Sequence, residues 1–206
     1  MRTIQLLLLL LVLSIFSCEN AKESKRETPA VVEEIVEIPN IEVPKSETIL
    51  NGNEGNWYYK GQLFNGFAIQ CYPNGALKQK IGFYNGKKMG VTKLWFPNGV
   101  LKVESHYHEN KLVGSYRSWW ENGILAAEVC YENGKPSGLE KNWYNTGQLS
   151  KKRNLVDGKE EGLQQAWLQN GTLYVNYEAK NGRIFGMRRA NLCYQLADEK
   201  VIITKD

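Results

Sequence analysis

The sequence predicts an all-β chain: a repetitive antiparallel meander of β-hairpins forming one elongated, single-layer sheet, preceded by an N-terminal signal helix and a disordered tether. One observation is periodic, because Gly66, Gly90, Gly114, Gly138, Gly162 and Gly186 are each separated by 24 residues. A second is compositional: 11 Tyr and 6 Trp accompany 19 Gly and only 6 Pro, a mixture of strand formers and turn formers with no long helical pattern. The 206 residues are 42% apolar, enough to build a packed body, which excludes wholesale disorder.

The chain opens with Met1, Arg2 and Thr3, followed by an apolar run from Ile4 to Phe16. A helix of that length spans about 20 Å, short of the roughly 30 Å hydrocarbon core, so residues 1–17 read as a signal-peptide core and not as a permanent span. Directly after it, Leu13 and Ile15-Phe16-Ser17-Cys18 resemble a bacterial lipoprotein lipobox, in which a small residue precedes a cysteine that is lipid-modified and becomes the mature N-terminus. Phe16 is bulkier than is usual at its place in that pattern. The resemblance implies lipidation at Cys18 and a membrane partner reached through acyl chains, placing the protein in a bacterial cell envelope, attached to a membrane without crossing it.

Residues 18–55 read as the tether. They hold nine acids and four bases, a net −5, with Pro29, Pro39 and Pro44 and neither Trp nor Tyr. Such a stretch buries too little to offset its ordering entropy. The alternation within Val31–Val43 also suits an edge strand, on the sheet or on a partner.

Residues 56–206 carry a net +8, from 21 bases and 13 acids, and contain the repeat. Counting each unit from the first glycine as position one, position six reads Cys71, Trp95, Trp119, Trp143 and Trp167. Position seven is Tyr72, Phe96, Trp120, Tyr144 and Leu168, and position twelve is always leucine: Leu77, Leu101, Leu125, Leu149 and Leu173. Two turns punctuate each unit. The first includes Pro97-Asn98-Gly99 and Glu121-Asn122-Gly123; the second includes Asn85-Gly86, Asn133-Gly134, Asp157-Gly158 and Asn181-Gly182. Asn-Gly between β formers is a strong hairpin signal, since a type I′ turn needs positive φ at both central residues. A two-residue loop at the first turn pairs position seven with twelve and six with thirteen. It sets position seven, the leucines and position eighteen on one face and the tryptophans on the other. Both faces then carry apolar columns, held by ladders of stacked side chains. Val201-Ile202-Ile203-Thr204 reads as a last strand closing the array.

These units resemble the MORN repeat, and more closely its bacterial variant, which runs Tyr, x, Asn-Gly-Lys, x, x, Gly, an aromatic pair, then Asn-Gly-x-Leu. Tyr131-Glu132-Asn133-Gly134-Lys135-Pro136-Ser137-Gly138, with Trp143-Tyr144 and Gly147-Gln148-Leu149, carries most of that pattern. The likeness covers about residues 56–192, with departures at Cys71 and Asn191 that mark terminal, capping units. Together with the export signal, the repeat sheet is expected to be a non-catalytic module that binds or scaffolds a protein or envelope component. Proteins with these bacterial repeats are also often labelled antitoxins of toxin-antitoxin pairs, a role that the export signal opposes.

Two rows are candidate binding surfaces. Position twenty-two is basic throughout, as Lys87, Lys111, Lys135, Lys159 and Arg183, and at about 10 Å spacing these cations lie roughly one Debye length apart. They fit an anionic surface, including anionic lipid headgroups, or serve as solvated turn residues that discourage edge aggregation. Trp95, Trp119, Trp143 and Trp167 fit a stacking platform or a structural spine. His106 and His108 share a strand face, but Cys130 stands two strands away, too far to share an ion, so no metal is expected. No paired acid and base flank a nucleophile and no phosphate loop is present. The expectation is therefore no enzyme activity, no cofactor and no nucleic-acid partner.

Overall fold

The computed structural model describes residues 36–187, 194–197 and 200–203. The signal segment, Cys18, the tether as far as residue 35, Asn191 and Cys193 lie outside the described residues. The chain forms strands β1 (Glu42–Pro44), β2 (Thr48–Asn51), β3 (Asn56–Tyr59), β4 (Gln62–Leu63), β5 (Gly66–Cys71) and β6 (Leu77–Tyr84). Next come β7 (Lys87–Lys88), β8 (Gly90–Trp95), β9 (Leu101–His108), β10 (Lys111–Trp119), β11 (Leu125–Glu132) and β12 (Lys135–Trp143). The last are β13 (Leu149–Val156), β14 (Lys159–Trp167), β15 (Leu173–Lys180), β16 (Arg183–Met187), β17 (Tyr194–Ala197) and β18 (Lys200–Ile203). A 13-stranded sheet runs in sequence order from β5 to β16, with β7 beside β6 and β1 added outside β5. The fold is the all-β antiparallel meander that the repeat predicts.

The second turn of each unit is the tight loop expected. Asn133 and Gly134 have φ of 50° and 83°, and Glu132 and Lys135 on either side are cross-strand partners. The first turn differs. Trp95 pairs with Leu101, so position six faces twelve and not thirteen, and the register slips there by one residue. Gly99 N–H donates to the Phe96 carbonyl and Phe96 N–H to the Val100 carbonyl, which puts Pro97 and Asn98 at the two central turn positions. Proline fixes φ near −65°, which suits the first central position of a type I turn and not of a type I′ turn. Only Gly99 enters the left-handed region, at φ 84°, while the Asn98 side chain accepts the Val100 N–H at 3.1 Å. The leucine therefore sits opposite the tryptophan, and the proposed division of leucines and tryptophans between opposite faces does not hold.

A further irregularity lies at position one. Between β11 and β12, Glu128 pairs with Lys141 but Cys130 pairs with Ser137, so β12 carries two extra residues there. Gly138, at φ +84°, sits in that bulge with no atom within 4 Å of where a Cβ would stand. The same jump recurs in β10 and β14. Bulges bend a strand and increase its twist, so the units that begin at Gly114, Gly138 and Gly162 bend there, whereas β16 pairs through Gly186 without a shift.

The apolar core lies at the N-terminal end, where Val43, Phe64, Ala68, Ile81 and Phe83 are buried, with Trp57 and Tyr59 packed on them. Strands β2, β3 and β4 form a small sheet of their own. It joins the array through Trp57 N–H to the Gly86 carbonyl at 2.7 Å and Gly86 N–H to the Phe64 carbonyl at 2.9 Å. Residues 42–51, assigned to the tether from composition, thus contain two strands, and β1 lies parallel to β5 with Val43 opposite Ala68. The edge-strand pattern there prevails over net charge because Val43 reaches the core. At the other end, β18 pairs with β17 in a separate two-stranded sheet and does not close the array. Pairing with the nearest strand in sequence closes a shorter loop.

The Gly138→Ala protein is expected to lose about 1–2 kcal/mol, since the cost is backbone strain alone. Gly52, with an ordinary φ and equally open surroundings, serves as control, and its alanine variant should stay within about 0.5 kcal/mol of the parent in urea unfolding.

Candidate functional site

Each unit presents two rims, one at its first turns and one at its second, about 26 Å apart along eight-residue strands such as β9. Hydrogen bonds from unit to unit stitch both. At the first-turn rim, Tyr72 Oη donates to the Trp95 carbonyl at 2.8 Å, Trp120 Nε1 to the Trp143 carbonyl at 3.0 Å, and Tyr144 Oη to the Trp167 carbonyl at 2.9 Å. Asn98 and Asn122 side-chain amides reach the carbonyls of Glu121 and Asn145, again 23 residues on. At the second-turn rim, Gly134 N–H donates to the Leu112 carbonyl and Gly158 N–H to the Pro136 carbonyl, both at 2.8 Å.

The predicted tryptophan column is present, but Trp95, Trp119, Trp143 and Trp167 are all half-buried. No aromatic ring pair among the described residues joins two of them; the pairs in contact are Trp57 with Phe83, Tyr59 with Phe64, Phe64 with Phe83, and Tyr116 with Tyr131. The ladder is hydrogen-bonded, not stacked. Units some 10 Å apart leave too wide a gap for ring-on-ring contact.

The basic row lies on the second-turn rim. Lys111, Lys135, Lys159 and Arg183 are exposed, and Lys87 lies 3.7 Å from Glu109. Being on opposite rims, the tryptophan and basic rows do not converge into one site. The second-turn rim also carries Glu132, Asp157, Glu160 and Glu161, so its charge is mixed. His106 donates from Nδ1 to the Ser115 carbonyl at 2.9 Å, and no group of three metal-ligating side chains occurs among the described residues. Cys71 and Cys130 are exposed free thiols.

A charged network emerges that sequence reasoning missed. Positions three and sixteen face each other, as Glu140 and Arg153 do between β12 and β13. Arg153 Nη2 and Nε donate to Glu140 Oε2 at 2.6 and 3.2 Å, and the Glu140 side chain is only 13% exposed. Asn142 donates to its other oxygen. Arg153 Nη1 stands 3.7 Å from Glu160, whose Oε2 accepts the Tyr177 hydroxyl at 2.6 Å. The signal that could have found it is the opposite charge of positions three and sixteen, readable only once the register is known. In the neighbouring unit, burial pushes the Tyr116 hydroxyl above its ordinary value, with Tyr107 adding to the shift. Burial likewise raises Tyr131, helped by Tyr116 and Glu140.

Comparison with known proteins is consistent with this geometry. A family model described as MORN repeat variant matches residues 90–109 and 112–133, two successive stretches of the array. No curated protein matches the chain. A chain in a crystal structure of accessory secretory protein 1, 2 and 3 from Streptococcus pneumoniae is 14% identical, with a TM-score of 0.28. That match covers 60% of this chain and 22% of the other.

Two outcomes test the rim. Tyr72→Phe should lose about 1 kcal/mol by leaving the Trp95 carbonyl without its donor, whereas Phe96→Tyr, which supplies the donor missing opposite Trp119, should gain about 0.5 kcal/mol in denaturant unfolding. Because Tyr116 and Tyr131 are raised above 10.0, the stability that depends on their neutral forms is full below pH 10 and declines as pH climbs through the raised values. Urea midpoints measured against pH, alongside tyrosinate absorbance, should show a smaller alkaline decline in Tyr116→Phe.

Proposed function

We propose that this is a lipid-anchored protein of a bacterial envelope whose non-catalytic repeat sheet binds another envelope component. The observation that carries the binding role is the second-turn rim. There backbone N–H groups of Gly86, Asn110, Gly134 and Gly158 stitch successive units while the side chain at position twenty-two recurs, cationic and mostly exposed, in every unit. A periodic exposed row on a rigid scaffold suits an elongated partner better than a small molecule. The anchoring role is supported by the apolar run ending in Ser17-Cys18, and the acidic stretch that follows gives the sheet reach from a membrane.

Fractionation tests the anchor: the parent protein should enter the membrane fraction, and Cys18→Ala should be released as a soluble protein. A Cys18→Ala protein that stays on membranes until salt removes it, or a mature protein found in the cytoplasm, would sink this reading. For binding, chemical crosslinking on intact cells should capture a defined envelope component, and the free monomer alone is the contrary result.

A further inference from the structure

The second-turn rim holds a cleft of about 800 Å³ where three successive units meet. Lys135, Lys159 and Arg183 line it, with Val156 and Ile184 beside them. None of the three cations has a carboxylate oxygen within 4.0 Å among the ion pairs of the described residues. The acids of the cleft are differently placed. Glu160 is engaged by the Tyr177 hydroxyl and the Arg153 guanidinium, and Glu161 accepts the Asn181 backbone N–H at 3.3 Å. Asp157, in the turn, is the one lining acid without such a contact among the described residues. Val156 is 55% exposed and Ile184 42%, so two β-branched side chains face outward next to the cations; Val156 is the cross-strand partner of Lys159.

We infer that this cleft takes an extended acidic peptide segment, with carboxylates three residues apart and aliphatic side chains between them. Successive cations lie about 10 Å apart, and three residues of a polyproline II-type extended segment advance about 9 Å and complete one turn, so carboxylates three residues apart share a face and each meets one cation. Val156 and Ile184 then meet the intervening aliphatic groups, which an anionic surface or a phosphate polymer lacks. A sugar polymer fits less well because the aromatic platforms lie on the opposite rim. The inference rests on the sheet being a binding surface and not on its anchorage. Because the cations are exposed, the attraction weakens with salt.

The test uses the purified full chain and a fluorescently labelled peptide, Glu-Val-Thr-Glu-Ile-Thr-Glu, in low-salt buffer. Anisotropy should show binding that fades as salt rises and disappears when every Glu of the peptide is Gln. The Lys159→Ala, Arg183→Ala double variant should weaken it roughly tenfold, while Lys151→Ala, exposed near the first-turn rim and outside the basic row, leaves it unchanged. Thermal melting checks that the double variant keeps its fold. Unaltered binding by the double variant, an equal loss in Lys151→Ala, or tighter binding of polyphosphate than of the peptide would each overturn the inference. Intact-cell capture of a partner that persists in the double variant would overturn the cleft while leaving the broader binding reading standing.

Discussion

The packed apolar cluster of the described residues lies at the N-terminal end, and further along burial is limited to scattered residues such as Val129, Leu155 and Leu168, so the array depends on each unit being fastened to the next. Backbone ladders join neighbouring strands, but the rims would fray without the bonds that run 22 or 23 residues along the chain. Gly134 and Gly158 donate backbone N–H groups at one rim, and Tyr72, Trp120 and Tyr144 donate side-chain groups at the other. These bonds exist only because the turns repeat at a constant length. An insertion of one residue in either turn would take donor and carbonyl out of alignment with two neighbours at once, as expected where stability is a sum of nearest-neighbour terms.

With the rims fixed, the pairs at positions three and sixteen are free to vary, and they do so along the chain. Ala68 faces Ile81, Thr92 faces Ser105, Tyr116 faces Val129, Glu140 faces Arg153 and Gln164 faces Tyr177. The first pair belongs to the apolar core that β1 and the small sheet cover. Further along, buried polar groups are matched in part: Glu140 receives Arg153 and Asn142, and the Gln164 amide donates to the Asn154 and Gly162 carbonyls, whereas Gln164 Oε1 and Thr92 Oγ1 are buried without a hydrogen-bond partner among the described residues. Partly exposed pairs of this kind contribute modestly to stability, but removing one member leaves a shielded charge unmatched. Their value is register: Glu140 meets Arg153 in one strand alignment only.

The period, the strand count per unit and the second turn were legible because glycine and asparagine are needed wherever φ turns positive, and those residues recur every 24 positions. The first turn was misread because Asn98-Gly99 spells the same dipeptide as a type I′ loop. The correcting sign was in the sequence as Pro97, whose fixed φ places it first among the central residues. The bulges at position one were not legible as such: a glycine series shows that positive φ is required but not that two extra residues accompany it. The Glu140, Arg153, Glu160 and Tyr177 network was hidden for a different reason. Its members are 13, 7 and 17 residues apart, and only the register that the bulges set brings them together.

The same geometry separates the two rows that composition alone places on an equal footing. The tryptophans lie toward the first-turn rim, half-buried, and the backbone carbonyls of Trp95, Trp143 and Trp167 accept bonds from the neighbouring unit. The cations lie on the other rim, where backbone groups and the Asn65, Asn110 and Glu161 side chains carry the stitching and the position twenty-two side chains stay outside it. That division lets the sequence change the chemistry of one rim without loosening the sheet. The acids beside the cations vary from unit to unit, from Glu109 near Lys87 to Asp157, Glu160 and Glu161 near Lys159. A uniform polyanion would meet attraction and repulsion in turn along such a rim, whereas a peptide can place a carboxylate, an aliphatic group or a neutral residue at each step. The mixed charge that weakens the case for a broad anionic surface is therefore what favours a partner with a sequence of its own.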